Sequence, residues 1–79
     1  MNIEKLYKLL LNNEFILFVG NRSYISPTLN FEDGLLWFVD DEGYYHYLRE
    51  VNNCTEHTII VLGDFDSYKI HFFTYNKIF

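Results

Sequence analysis

Gly34-Leu35-Leu36-Trp37-Phe38-Val39-Asp40-Asp41-Glu42-Gly43-Tyr44-Tyr45-His46-Tyr47-Leu48-Arg49-Glu50 is an apolar run, an acidic turn closed by glycine, and a second run rich in tyrosine. This pattern predicts a β-hairpin. Asp41 and Glu42 suit the centre of a type I turn, and Gly43 suits the left-handed residue that follows it in a three-residue loop. The register follows from that turn. Asp40 is expected opposite Tyr44, Phe38 opposite His46 and Leu36 opposite Leu48, while on the other face Val39, Trp37 and Leu35 meet Tyr45, Tyr47 and Arg49. Both faces are apolar or aromatic, which a sheet covered on one side does not require, so something must cover the second face.

Outward from the hairpin, the chain reads as one small α+β domain spanning residues 1–79. An N-terminal helix packs on an antiparallel meander sheet of five to six strands. Asn2 is an N-cap, Glu4 and Lys8 complement the helix dipole, and Ile3, Leu6, Tyr7 and Leu10 form one apolar stripe. Asn12-Asn13 ends the helix. Glu14 to Gly20 is rich in β-formers and bounded by glycine, which marks a largely buried strand. Gly20-Asn21-Arg22 is a turn, and Pro27 demotes Ser23 to Leu29 to an edge or irregular segment. Asn30 to Asp33 and Val51 to Glu56 read as loops. His57 to Gly63 and Tyr68 to Tyr75 make the last strand pair; setting Gly63 opposite Tyr68 puts Ile59, Val61, Tyr68, Ile70 and Phe72 on the core face. Asn76 to Phe79 is a short tail.

A single core at this length contributes only about 3–5 kcal/mol, and small chains usually add a staple. With Cys54 alone, no internal disulfide forms, and the three histidines lack zinc-ligand spacing. The chain carries aromatic mass instead. Eight Phe, seven Tyr and one Trp make 20% of the residues, more than a domain of this size readily hides, which points to a partner surface or a homodimer.

Eleven acids against six bases give a formal net charge of −5. Lys and Arg neutralising phosphates drive binding to nucleic acid, so this balance disfavours direct nucleic-acid contact and favours a protein target with a basic surface. The longest apolar run near the N-terminus, Leu9 to Leu11, is far too short for a signal core or a membrane span. A cytoplasmic protein without membrane association is expected. Two glycosylation sequons, at Asn21 and Asn53, have no meaning without export.

In an up-and-down sheet the two acidic turns lie at one end, which groups Asp40, Asp41, Glu42, Asp64 and Asp66 in a rim. Such a rim suits docking in a basic groove, a divalent cation or paired-carboxylate chemistry. Against all three stands the plain preference of hairpin turns for Asp and Gly. No calcium-loop spacing, nucleophile elbow, zinc-protease motif or phosphate loop occurs, so no catalytic residue, metal ligand or cofactor is assigned and an enzyme is not expected. His46 and His71 read as amphipathic sheet residues. Trp37, Tyr45, Tyr47 and Arg49 line one face of the hairpin, and Trp, Tyr and Arg are the residue types enriched at binding hot spots.

In character alone the chain is similar to small acidic phage-encoded inhibitors that block host enzymes, including those of CRISPR defence. That resemblance rests on no quotable motif, and it implies a binding protein acting by occlusion. A structural or accessory subunit that buries the spare face in a homo-oligomer is the alternative, with a small metal-dependent enzyme third.

Overall fold

The computed structural model of the protein describes residues 1–73. Among these residues one helix, α1 (Ile3–Leu11), precedes eight strands: β1 (Phe15–Val19), β2 (Arg22–Ile25), β3 (Asn30–Glu32), β4 (Leu35–Val39), β5 (Tyr45–Leu48), β6 (Glu50–Cys54), β7 (Thr58–Leu62) and β8 (Ser67–Phe72). All pairings are antiparallel. The strands divide into a five-stranded sheet in the order β2-β1-β8-β7-β6 and a three-stranded sheet in the order β3-β4-β5.

The α+β class and the helix on an antiparallel sheet are as expected from the sequence. Meander order holds within β3-β4-β5 and within β6-β7-β8, while β1 pairs with the last strand, β8. Inward residues explain that pairing. Phe15, Leu17 and Val19 lie opposite Phe72, Ile70 and Tyr68, and all six are buried.

Helix α1 starts and stops where its caps require. The Asn2 side chain accepts from the Lys5 N–H at 2.8 Å, and at the other end the Asn12 and Asn13 amides donate to the Lys8 and Leu9 carbonyls at 2.7 and 2.9 Å. Glu4 and Lys8 pair at 3.5 Å on the exposed side. Leu6 and Leu10, one turn apart, are buried as the helix packs against β4 and β6, and Tyr7 stacks on Phe31 of β3 with ring centroids 5.1 Å apart.

The central hairpin forms in the expected register. Leu36 pairs with Leu48, Trp37 with Tyr47, Phe38 with His46 and Val39 with Tyr45. Its loop has Gly43 at φ 88°, and the Asp40 N–H donates to the Tyr44 carbonyl at 2.9 Å. The expected Leu35–Arg49 pair does not form, because the Arg49 N–H donates to the Leu62 carbonyl at 2.8 Å. Arg49 is the residue at which the chain leaves one sheet and enters the other.

The segments expected as loops on either side of the hairpin are strands. Asn30–Glu32 pairs with β4 through a turn at Asp33-Gly34, both with positive φ (53° and 81°), as the two-residue type I′ turn requires. Glu50–Cys54 forms an edge strand on β7, with a register shift between Val51 and Asn53. Its polar side chains are what an edge strand tolerates, because ladder hydrogen bonds need no apolar residues and bulges and polar groups deter edge pairing. Ser23 to Leu29 behaves as Pro27 implies: β2 is the other edge of the five-stranded sheet and ends at Ile25. Ser26 then turns back, its N–H donating to the Phe15 carbonyl at 2.9 Å.

The last hairpin pairs Leu62 with Ser67 and Val61 with Tyr68, a register offset by two residues from the expected one. An offset of two leaves the faces unchanged, and Ile59, Val61, Tyr68, Ile70 and Phe72 are all buried as expected. The strand ends at Phe72, short of the expected Tyr75, with Phe73 already in a bend; residues 74–75 and the tail Asn76 to Phe79 lie outside the described residues.

The core lies between the two sheets and under the helix. Leu36, Phe38 and Leu48 from the three-stranded sheet face Leu17, Ile59, Val61, Tyr68 and Ile70 from the five-stranded one. Phe38 is fully enclosed. It meets Tyr24 edge-on at 5.5 Å and Tyr68 edge-on at 6.3 Å, both from the opposite sheet. The lid for the inner face of the central hairpin is thus chiefly the five-stranded sheet of the same chain, with α1 closing one side.

Candidate functional site

Because Leu36, Phe38 and Leu48 point inward, alternation along β4 and β5 turns Leu35, Trp37, Val39, Tyr45 and Tyr47 outward. Tyr45 is 61% exposed, Leu35 and Val39 are 42% and 43% exposed, and Trp37 and Tyr47 are half-buried. The rings brace one another. Trp37 and Tyr47 lie 6.0 Å apart, Tyr45 and Tyr47 stack at 6.3 Å, and the Arg49 guanidinium sits 4.7 Å over the Tyr47 ring. Cross-strand packing and the cation above it hold the rings in one arrangement, which lowers the ordering cost of any contact made there. All four of Trp37, Tyr45, Tyr47 and Arg49 therefore share one outer face.

Three turns meet at one end of the molecule: Gly20-Asn21 between β1 and β2, Asp40 to Tyr44 between β4 and β5, and Gly63 to Asp66 between β7 and β8. They surround a cavity of about 610 Å³. The five carboxylates expected there are brought together, and their roles diverge. Asp41 and Glu42 hold Arg22, which reaches over from β2, with the Asp41 bond at 3.2 Å. Asp64 takes a two-pronged contact from Arg49, Nε at 2.9 Å and Nη2 at 3.0 Å. Asp66 has no ion-pair partner among the described residues.

Asp40 turns inward, its side chain only 3% exposed. It accepts from the Glu42 and Tyr44 N–H groups at 2.8 and 2.9 Å and from His46 Nε2 at 2.9 Å. His46 Nδ1 lies 3.1 Å from the Tyr68 hydroxyl. A carboxylate only accepts, so Nε2 carries the proton and, in the neutral ring, Nδ1 accepts from Tyr68. The His46 hydrogen bond, helped by the two turn amides, holds Asp40 down to about 2, and burial pushes the Tyr68 hydroxyl up to about 12. Arg49 likewise lowers Asp64, and Glu42 raises Arg22. The Tyr24 hydroxyl, raised by burial, is enclosed without a hydrogen-bond partner among the described residues.

The Asp40–His46–Tyr68 chain ties the β4–β5 turn, β5 and β8 across the two sheets. Its chemistry is that of a strut: a carboxylate held charged and a phenol held neutral, with the imidazole locked between them. Among the described residues no group of three His, Cys, Asp or Glu side chains is placed to hold a metal ion. No helix among them is long and apolar enough to cross a membrane.

No family model, curated protein or solved structure matches the chain. The functional reading therefore rests on geometry.

Sequence reasoning missed Arg22 and the role of His46. The signal for His46 was present, since in the hairpin register Asp40 and His46 are diagonal neighbours on one face, within reach of long polar side chains. Nothing local marks Arg22, whose partners lie 19 and 20 residues away in sequence.

Proposed function

We propose that this chain is a binding protein that acts by occlusion, covering a basic surface of a protein target such as a nucleic-acid-processing enzyme, in the manner of phage-encoded inhibitors of host defence. The observation that carries this reading is the outer face of the three-stranded sheet, where Leu35, Trp37, Val39, Tyr45 and Tyr47 form a contiguous apolar surface that stays accessible. Large rigid rings with polar tips bury much area at small entropy cost. The acidic turn end adjoins this face through Tyr45 and Tyr47, and the net charge of −5 favours association with a basic partner.

The test is capture of a target from host lysate by the wild-type chain and by Trp37→Ala and Tyr47→Ala. Both variants are expected to lose the captured protein while keeping the wild-type circular dichroism spectrum. Charge reversal at exposed Asp41 and Glu42 should slow association and reduce its salt dependence. Full retention of the target by the ring variants would remove the reading.

A second reading, a homo-oligomeric structural subunit, draws support from the outer face of the five-stranded sheet. Ile25 there is 69% exposed beside Ile16, and Phe18 is exposed on the same face. Sedimentation at micromolar concentration separates the two, since self-association through that face would be abolished by Ile25→Lys.

A further inference from the structure

We infer that the cleft between the Asp40–Tyr44 and Gly63–Asp66 turns receives a cationic side chain, a guanidinium or ammonium group, from a basic segment of a protein partner lying across the outer face of the three-stranded sheet. This rests on the docking reading above and adds where the partner's charge is seated.

Continuity comes first. Tyr45 and Tyr47 belong both to the aromatic face and to the wall of the cleft, so a chain crossing that face arrives at the opening without a gap. The opposite wall carries Phe65, 97% exposed at the tip of the β7–β8 turn. Hairpin tips favour small polar residues, and nothing in the turn's backbone geometry calls for a ring there. A ring held in water beside an open cleft gains contact area only when something enters.

Charge decides what enters. Among the described residues, Asp40, Asp41, Glu42, Asp64 and Asp66 stand at this end against Arg22 and Arg49, an excess of three negative charges. Both arginines are engaged, Arg22 with Asp41 and Glu42 and Arg49 with Asp64 and the Tyr47 ring, so neither is directed at an incoming anion. Asp66 remains for a newcomer. Ring faces and carboxylates both favour cations, and the low-dielectric walls concentrate that field.

The molecule already displays the contact on a small scale. Arg49 combines a two-pronged carboxylate with a tyrosine face 4.7 Å away, and Arg22 lies 5.9 Å from the Tyr24 ring while holding two carboxylates. A foreign guanidinium between Phe65, Tyr44 and Asp66 would reproduce that pairing of ring and acid.

Titration of ¹⁵N-labelled protein with N-acetyl-arginine amide, followed by amide shifts, tests the inference, with the citrulline analogue as a neutral isostere. Saturable shifts are expected at Gly20, Asn21, Tyr44, Phe65 and Asp66 with affinity in the roughly millimolar range, and none with citrulline. The double variant Phe65→Ala/Asp66→Asn alters two exposed residues and should weaken binding roughly five- to tenfold with an otherwise unchanged spectrum. Equal response to citrulline, shifts scattered over the surface, or wild-type affinity in the double variant would each overturn the cleft. The two readings fail separately: if Trp37→Ala releases the captured target while arginine amide leaves the cleft untouched, the docking face stands and the cation seat falls.

Discussion

A single methyl group added at Gly63 should be among the most damaging small changes in this protein. A Cβ there would lie 2.6 Å from the Tyr47 carbonyl oxygen, 2.7 Å from Tyr68 Cε2 and 3.3 Å from the Asp66 carbonyl oxygen. The first two are well inside van der Waals separation, and one of them is backbone. Relief requires β5 and the β7–β8 turn to part, because Tyr68 is 3% exposed and has no free volume to enter. Overpacking of this kind costs about 1–3 kcal/mol. The same movement draws Tyr68 from His46, now 3.1 Å away, and losing one hydrogen bond adds about 1 kcal/mol. A total of about 2–4 kcal/mol takes most of the stability of a domain this small, and corresponds to a fall in melting temperature of roughly 10–25 °C. Urea unfolding followed by Trp37 fluorescence reads the change. Gly43→Ala is the internal comparison, since its Cβ would meet nothing within 4 Å and the cost is only that of a left-handed φ of 88°, about 1 kcal/mol. If Gly63→Ala were no worse than Gly43→Ala, the close approach of the two sheets at this turn would be refuted.

Two further outcomes follow from the core and from the turn end. Phe38→Ala removes a ring enclosed by Tyr24, His46 and Tyr68 and should cost about 3–5 kcal/mol, comparable to the whole stability of the domain, so the variant should be largely unfolded by circular dichroism before any urea is added. Asp40 is held at about 2 when folded against an ordinary value of 3.8, so its contribution to stability is complete above pH 3.8 and is lost as the pH falls toward 2; Asp64, also lowered, acts with the same sign. Between pH 4 and 2 the wild type should therefore lose stability more steeply than Asp40→Asn, and parallel curves would disprove the assignment.

What sequence showed of this fold was local. The hairpin register from Leu36–Leu48 to Asp40–Tyr44 follows from one turn, the helix ends follow from Asn2 and Asn12, and the inward set on β7 and β8 follows from alternation, which survives an offset of two. The β3–β4 turn was equally readable, because Asp33-Gly34 is a strong two-residue hairpin signal; reading Asn30 to Asp33 as a loop missed it. β6 was harder. Its side chains are mostly polar and only Val51 packs against the core, so its strand character comes from pairing with β7 rather than from its own residues. The pairing of β1 with β8 and the division into two sheets are long-range outcomes that no local pattern encodes. Of the site, the placement of Trp37, Tyr45, Tyr47 and Arg49 on one face came from the register. The separate roles of Asp40 and Asp64 depended on partners from distant strands.

The position of β1 between β2 and β8 also governs how the protein can be made. During synthesis β1 is made before its second neighbour, which begins at Ser67, so Leu17 and Val19 wait through the whole of β2 to β7 before their partners Ile70 and Tyr68 exist. Until then no intermediate on the ribosome can close the five-stranded sheet, and the apolar face of β1 is open to other nascent chains. Translation that stalls before Ser67 should yield an aggregating fragment, not a smaller folded one.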